Sequence, residues 1–138
     1  MTANVARTFD RYFETAVYAN RLAQERTPDD PMKLVQLRRT VSEVTSEMQR
    51  IVDAIVQENG LTDTQLPILA EHRARFAAER SAVANHQANW AAPAMAKDRD
   101  RYQADVNALF KMHENNHRWR KQVFIPALET AIRNRRRN

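Results

Sequence analysis

The chain has 138 residues, enough for one domain with a single modest core. It contains no cysteine, which excludes disulfides, thiolate metal ligands and a cysteine nucleophile, and its single glycine excludes a glycine-rich phosphate-binding loop. Few glycines and prolines, with no run of alternating β-branched residues, predict an all-α protein. We expect a cytoplasmic protein, since the N-terminus lacks a signal-like apolar stretch and no run of roughly 18 apolar residues occurs.

The net charge of +5 is concentrated at one end of the chain. Residues 118–138 hold seven of the 22 Lys and Arg residues and one of the 17 acidic residues, so they carry +6 and the rest carries −1. A basic segment of this kind predicts a solvated tail or binding to an anionic partner, which could be nucleic acid, an acidic protein surface or an anionic membrane. The candidate anion-binding residues are Arg118, Arg120, Lys121, Arg133, Arg135, Arg136 and Arg137.

The first helix is predicted from about Asn4 to Arg26. The segment TPDDPM ends it, because Pro28 and Pro31 lack a backbone donor. Asp30 and Pro31 then form a start signal for the second helix, a capping carboxylate followed by a residue whose fixed φ suits the first helical position.

The second helix, residues 31–59, carries the most regular pattern of the chain. Its apolar residues follow one another at alternating spacings of three and four, which is the 3.5-residue seam of knobs-into-holes packing, and Gly60 ends it. We predict that this seam forms an interface with a protein partner or a second copy. The interface comprises Leu34, Leu37, Val41, Val44, Met48, Ile51, Val52, Ile55 and Val56.

Two further long helices follow. Thr62-Asp63-Thr64-Gln65 resembles a capping box that opens the third helix, which stops before Pro93. The fourth is predicted from about Lys97 to Ile125, where Pro126 should kink or end it. The remaining segment, ALETAIRNRRRN, is predicted to turn Leu128, Ala131 and Ile132 inward.

Short connections between long helices favour antiparallel neighbours. The expected architecture is therefore an up-down-up-down four-helix bundle with a short basic amphipathic C-terminal helix. We assign residues 1–125 to the bundle and residues 126–138 to the basic C-terminal extension.

The segment KMHENNHRW contains a literal H-E-x-x-H, formed by His113, Glu114 and His117. Two His four apart share a helix face and can bind one zinc ion, with the Glu activating a bound water. Two features argue against a zinc protease. Arg118 directly follows the second His, and no strand is predicted that could hold a substrate peptide. The overlapping E-x-x-H also occurs in di-iron bundles, but the second copy that such a site needs is missing.

A third histidine raises the metal hypothesis again. If the third and fourth helices pack antiparallel about a turn near residue 95, facing positions have numbers that add to about 190. His72 then lies near His113 and His117, and the three could bind one divalent metal, zinc or iron, with an open fourth position. The same residues also suit a buried polar network, or an ion pair between Glu79 and Lys111 beside ordinary helix-flanking histidines.

Arg80 and His86 form one more candidate pair. Their spacing of six loosely resembles the active motif of HEPN ribonucleases, which are helical domains that dimerise. Six residues of helix turn the two side chains about 120° apart, however, so the pair is not expected to converge.

These features favour a non-enzymatic helical-bundle protein that acts in interaction and assembly. It is predicted to self-associate, or to dock on a larger complex, through the second helix and the basic C-terminus. One alternative is electrostatic binding of nucleic acid. Another is a metal-binding bundle, a hydrolase or ribonuclease, built on His72, His113 and His117.

Overall fold

The computed structural model describes residues 2–24 and 31–137, without the side chains at positions 2, 3, 31, 92, 93, 96, 136 and 137. All regular structure in this part of the chain is helical, which confirms the predicted all-α class. The predicted cap at Asp30 and the predicted end of the first helix at Arg26 lie outside the described residues. The elements are α1 (Thr2–Gln24), α2 (Pro31–Asn59), α3 (Leu66–Asn89), α4 (Ala92–Lys97), α5 (Arg99–Trp119), a π-helical turn (Arg120–Phe124) and α6 (Ile125–Arg137).

The turn between α2 and α3 has the chemistry that the sequence predicts. Gly60 has a φ of 68°, in the left-handed region that closes helices. The Thr62 hydroxyl accepts from the Gln65 amide at 3.3 Å, and the Gln65 side chain accepts from the Thr62 amide at 2.9 Å. This reciprocal pair is a capping box, and it aims α3 back along the bundle.

The short helix α4 has no counterpart in the sequence prediction. Pro93 ends one helix, but a proline also suits the first turn of the next, where its missing amide is no loss. The chain therefore forms one more helical turn and a half before α5. Asp98 caps α5 by accepting from the Arg101 amide at 3.4 Å.

A π-helical turn joins α5 to α6. The Ile125 amide bonds to the carbonyl oxygen of Arg120, five residues back, so this turn is wider than an α-helical one. The prediction of a continuous α-helix to Ile125 is wrong, because α5 ends at Trp119. In α geometry the Pro126 ring would clash with the carbonyl four residues earlier, and the wide turn carries the chain past it.

Two clusters of buried apolar side chains hold the helices together. The main core joins α1, α2, α3, the π-helical turn and α6, and Leu128 and Ile132 of α6 belong to it. Together with Ala131 they are buried, as predicted. The second core lies around Trp90 and Tyr102, with Leu34 of α2 packed against it.

The helices α2 and α3 diverge between these cores. α2 packs on α1 and α6, whereas α3 packs on α5 and the π-helical turn, and within the described residues α2 and α3 make no extensive contact. One side of the bundle is therefore open. The full up-down-up-down order of the helices stays a prediction. No helix in residues 2–24 and 31–137 is long and apolar enough to cross a lipid bilayer.

Candidate ligand-binding groove

The divergence of α2 and α3 leaves a groove of about 670 Å³. Its two walls are the N-terminal half of α2 and the C-terminal half of α3, and α1 and α5 form its floor. The groove lies where the seam of α2 loses its partners, between the main core and the second core. Its position thus follows directly from the failure of α2 and α3 to close on each other.

The lining of the groove is apolar with a positive bias. Leu34, Leu37 and Val41 of α2 face Val83 of α3, and the floor contributes Val106, Leu109 and Phe110 of α5. Most other lining residues are small Ala, Ser and Thr. Among the described residues that line the groove, the only charged ones are Arg38 and Arg80, with His86 and His113 as further titratable bases, and none is acidic. An apolar molecule with a negative group complements such a surface.

One end of the groove is closed by a hydrogen bond between its walls. The Arg38 guanidinium donates to the Trp90 carbonyl oxygen at 2.9 Å, which links α2 to the end of α3. Behind this link, Asp105 accepts from the Trp90 indole and from His86, both at 2.8 Å. The bond from His86 lowers the pKa of Asp105, against the opposing effect of burial. Arg38, Trp90 and Asp105 thus form a polar boundary at the second core.

At the other end lies a buried polar network centred on Glu79, whose side chain is fully buried. One carboxylate oxygen accepts from His113 Nδ1 at 2.6 Å, and the other accepts from the guanidinium of Arg120. Burial raises the pKa of Glu79, but the His113 hydrogen bond and the Arg120 charge outweigh it, so the net shift is downward. Glu79 is therefore an ionised carboxylate paired with a buried guanidinium.

Two aromatic groups complete the network. Tyr12 hydrogen-bonds to Glu79, and burial together with the Glu79 charge raises the pKa of its phenol, which stays protonated. His72 accepts from Arg120 Nε at 3.4 Å and stacks on Phe124 with ring centroids 4.0 Å apart. Burial, followed by the Arg120 charge, lowers the pKa of His72 to about 3, so the imidazole is neutral at neutral pH.

The antiparallel register predicted for the third and fourth helices is confirmed. The pairs Arg75–Asn116, Glu79–His113 and His86–Asp105 all join positions whose numbers add to about 190. Of the two polar alternatives, the structure contains the buried network. The Glu79–Lys111 pair is wrong, because Lys111 is exposed and Arg120 takes its place.

Arg120 belongs to the buried network, although the sequence predicts it at the surface. It is predicted as a surface anion-binding residue, yet it is 1 % exposed and bonded within the network. The spacing of Arg120 indicates burial, because Arg120 continues the inward-facing series of α5 at alternating spacings of four and three residues. The series is Tyr102, Val106, Leu109, His113, Asn116 and Arg120. The predicted role of Arg120 in surface anion binding is therefore wrong.

The three predicted metal ligands have separate partners in the structure. His72 and His113 bond through Nδ1 to Arg120 and Glu79, while His117 stacks on Phe13 with centroids 4.4 Å apart and lies 3.4 Å from Asp10. Within residues 2–24 and 31–137 no group of three His, Asp or Glu side chains is arranged to hold a metal ion. A metal site on these histidines stays a prediction that would require them to exchange these partners.

The other predicted anion-binding residues lie at the surface. Arg118, Arg133 and Arg135 are exposed, and Lys121 forms an ion pair of 2.9 Å with Asp10. The side chains of Arg136 and Arg137 lie outside the described residues. Arg80 and His86 both line the groove, where His86 is held by Asp105.

The predicted α2 interface divides into two parts. Val44, Met48, Val52 and Ile55 are buried in the chain's own main core, so the prediction that they face a partner is wrong for this half of the seam. Ile51 and Val56 are partly buried against the same core. Leu34, Leu37 and Val41 are half-buried and line the groove.

No protein-family model, curated protein or solved structure matches this chain.

Proposed function

We propose that the protein is a non-enzymatic binding protein that holds an elongated apolar small molecule between α2 and α3. The observation that carries this proposal is the groove of about 670 Å³ with its apolar lining. Small-molecule sites typically have volumes of about 300–1,000 Å³ and mostly apolar walls with a few polar groups. A ligand in this position would supply the apolar contacts that α2 lacks in its N-terminal half.

A small molecule fits this groove better than a helix of a partner protein. The hydrogen bond from Arg38 to the Trp90 carbonyl crosses from one wall to the other. An α-helix with its side chains is about 10 Å wide, so a helix laid along the groove would have to displace this link. The main core closes the opposite end. Both ends thus favour a bounded ligand over a continuous chain.

Docking on a protein partner or a second copy stays a prediction. Because the other half of the seam is buried in the chain's own main core, such docking would use Leu34, Leu37 and Val41. The ligand would cover the same three residues. Electrostatic binding of nucleic acid also stays a prediction, supported by the exposed Arg118, Arg133 and Arg135.

The test uses two probes with the same ten-carbon chain, 1-decanol and decanoate, below their aggregation concentrations. We expect at least one of them to bind the wild-type protein in an isothermal titration and to shift amide resonances of both groove walls. Ala84→Trp fills the groove from an exposed position on its wall. Ala78→Trp is the matched control, since Ala78 is exposed on the same helix but does not line the groove.

Binding that Ala84→Trp weakens at least tenfold and Ala78→Trp leaves unchanged would support the proposal. If neither probe binds, or if both variants bind alike, the groove is not a ligand site. Analytical ultracentrifugation of the same variants covers the alternative. A wild-type dimer that Ala84→Trp dissociates would favour docking of a second copy in the groove instead.

A further inference from the structure

We infer that the ligand of the groove carries a carboxylate, which binds at the exposed edge of His113 and to the guanidinium of Arg80. This inference rests on the proposed function and names the chemical class of the ligand. It goes beyond an apolar fit, because it assigns the polar end of the ligand to the polar-network end of the groove. The apolar body would then extend toward Leu34 and the second core.

His113 has one ring nitrogen free for a ligand. Its side chain lines the groove, and its Nδ1 is occupied by Glu79 at 2.6 Å. No described group bonds to Nε2, and this atom is not among the buried polar atoms that lack a partner. Nε2 therefore keeps contact with solvent, and the groove that His113 lines is the space in which a ligand can reach it. The edge-to-face contact with Tyr12, with centroids 5.6 Å apart, fixes the ring in this orientation.

The charges around His113 favour an anion. Glu79 of α3 and Arg120 of the π-helical turn neutralise each other, and Tyr12 of α1 is kept protonated by burial. The remaining formal charges at the groove are those of Arg38 and Arg80, and among the described residues no acidic side chain lines it. A carboxylate is the group that balances this charge.

Arg80 supplies the second contact. Its guanidinium lies over the Phe76 ring, 5.7 Å from the centroid, and Phe76 in turn packs on Tyr12. Arg80 thus lies at the end of the groove where Tyr12 and His113 form the floor. No ion pair joins Arg80 to a described carboxylate. Its planar donors therefore remain available to a ligand carboxylate.

The charge of the ligand's polar end decides its affinity in this arrangement. A neutral alcohol of the same chain length carries no charge to pair with the Arg80 guanidinium, so it should bind more weakly than the carboxylate. No covalent bond forms or breaks on binding.

The experiment compares decanoate with 1-decanol by isothermal titration at neutral pH. We expect decanoate to bind at least tenfold more tightly than 1-decanol. Arg80→Gln should weaken the binding of decanoate at least fivefold without weakening that of decanol. Arg73→Gln is its matched control, since Arg73 is exposed on the same helix and pairs with Asp53 outside the groove.

The outcomes separate this inference from the proposed function. If decanol and decanoate bind equally, or decyltrimethylammonium binds more tightly than decanoate, the carboxylate assignment is overturned while the groove stays a ligand site. If none of the probes binds, both proposals fail. The Arg80→Gln variant is expected to fold, because Arg80 is exposed and outside both cores.

Discussion

The two halves of α2 have the same sequence pattern and different surroundings. In the C-terminal half Val44, Met48, Val52 and Ile55 are at most 2 % exposed. In the N-terminal half the seam residues Leu34, Leu37 and Val41 are only half-buried. A regular seam therefore shows which face of a helix is apolar, but it does not show how much of that face the chain itself will cover.

The difference arises from the elements available at each level of the bundle. α6 packs on the C-terminal half of α2, where Leu128 and Ile132 fill the main core. The N-terminal half has α1 on one side and the open groove on the other. The buried network around Glu79 lies at the border between the filled half and the open half. Three experiments probe this contrast, beginning with the change expected to cost most.

Replacing Arg120 with Met should strongly destabilise the fold, because it leaves the Glu79 carboxylate buried without its guanidinium partner. Loss of one partner of a buried ion pair typically costs about 3–5 kcal/mol of unfolding free energy. Urea denaturation measures the loss. The double variant Glu79→Gln/Arg120→Met should recover part of it, since no charge is then left unpaired.

Lys121→Met provides the neighbouring control. Lys121 is half-exposed and pairs with Asp10 at the surface, so its replacement should cost at most about 1 kcal/mol. A similarly small loss of unfolding free energy for Arg120→Met would contradict the burial of the network. The network would then not mark the border between the covered and the open half of α2.

Truncation of the seam should have unequal effects in its two halves. Met48→Ala removes a fully buried side chain from the main core, which typically costs about 2–5 kcal/mol. Leu37→Ala removes a half-buried side chain beside the groove, where water replaces it, and should cost about 1 kcal/mol. Both are measured by urea denaturation. Equal losses would mean that the groove is closed in solution.

The stability of the fold should decrease as the pH falls from 7 to 5. The pKa of His72 is lowered to about 3 in the folded chain but is about 6.5 in the unfolded chain, so in this window only the unfolded chain takes up the proton. The contribution of neutral His72 to the free energy of unfolding is complete above pH 6.5. Below that pH it decreases by about 1.4 kcal/mol per pH unit. Urea denaturation at pH 7, 6 and 5 measures the slope.

Two other groups act in the same direction. Burial also lowers the pKa of His117, and the lowered pKa of Glu79 extends the loss of stability below about pH 4.5, where the unfolded carboxyl protonates. His72→Gln should therefore flatten the slope between pH 6 and 5 without abolishing it. An unchanged slope in that variant would show that His72 is solvated and can ionise in the folded chain.

Much of the local structure follows from individual residues. Gly60, Thr62 and Gln65 account for the turn before α3, and the antiparallel register of α3 and α5 follows from the short connection between them. The histidines at positions 72 and 113 belong to a polar cluster, as the register predicts. Their chemistry does not follow in the same way, because a metal site and an ion-paired network need the same residues on the same faces.

The sequence by itself determined the helical class, the register of α3 against α5 and the apolar face of α2, because these depend on periodicity, capping and chain length. Only the tertiary structure decided the partner of Arg120, since helical spacing places this residue on the continuation of the buried face of α5 but does not show that it lies beside Glu79 of α3. It also decided where α2 is covered. The groove exists because α2 and α3 rest on different neighbours, and the separation of two helices depends on the packing of the whole bundle.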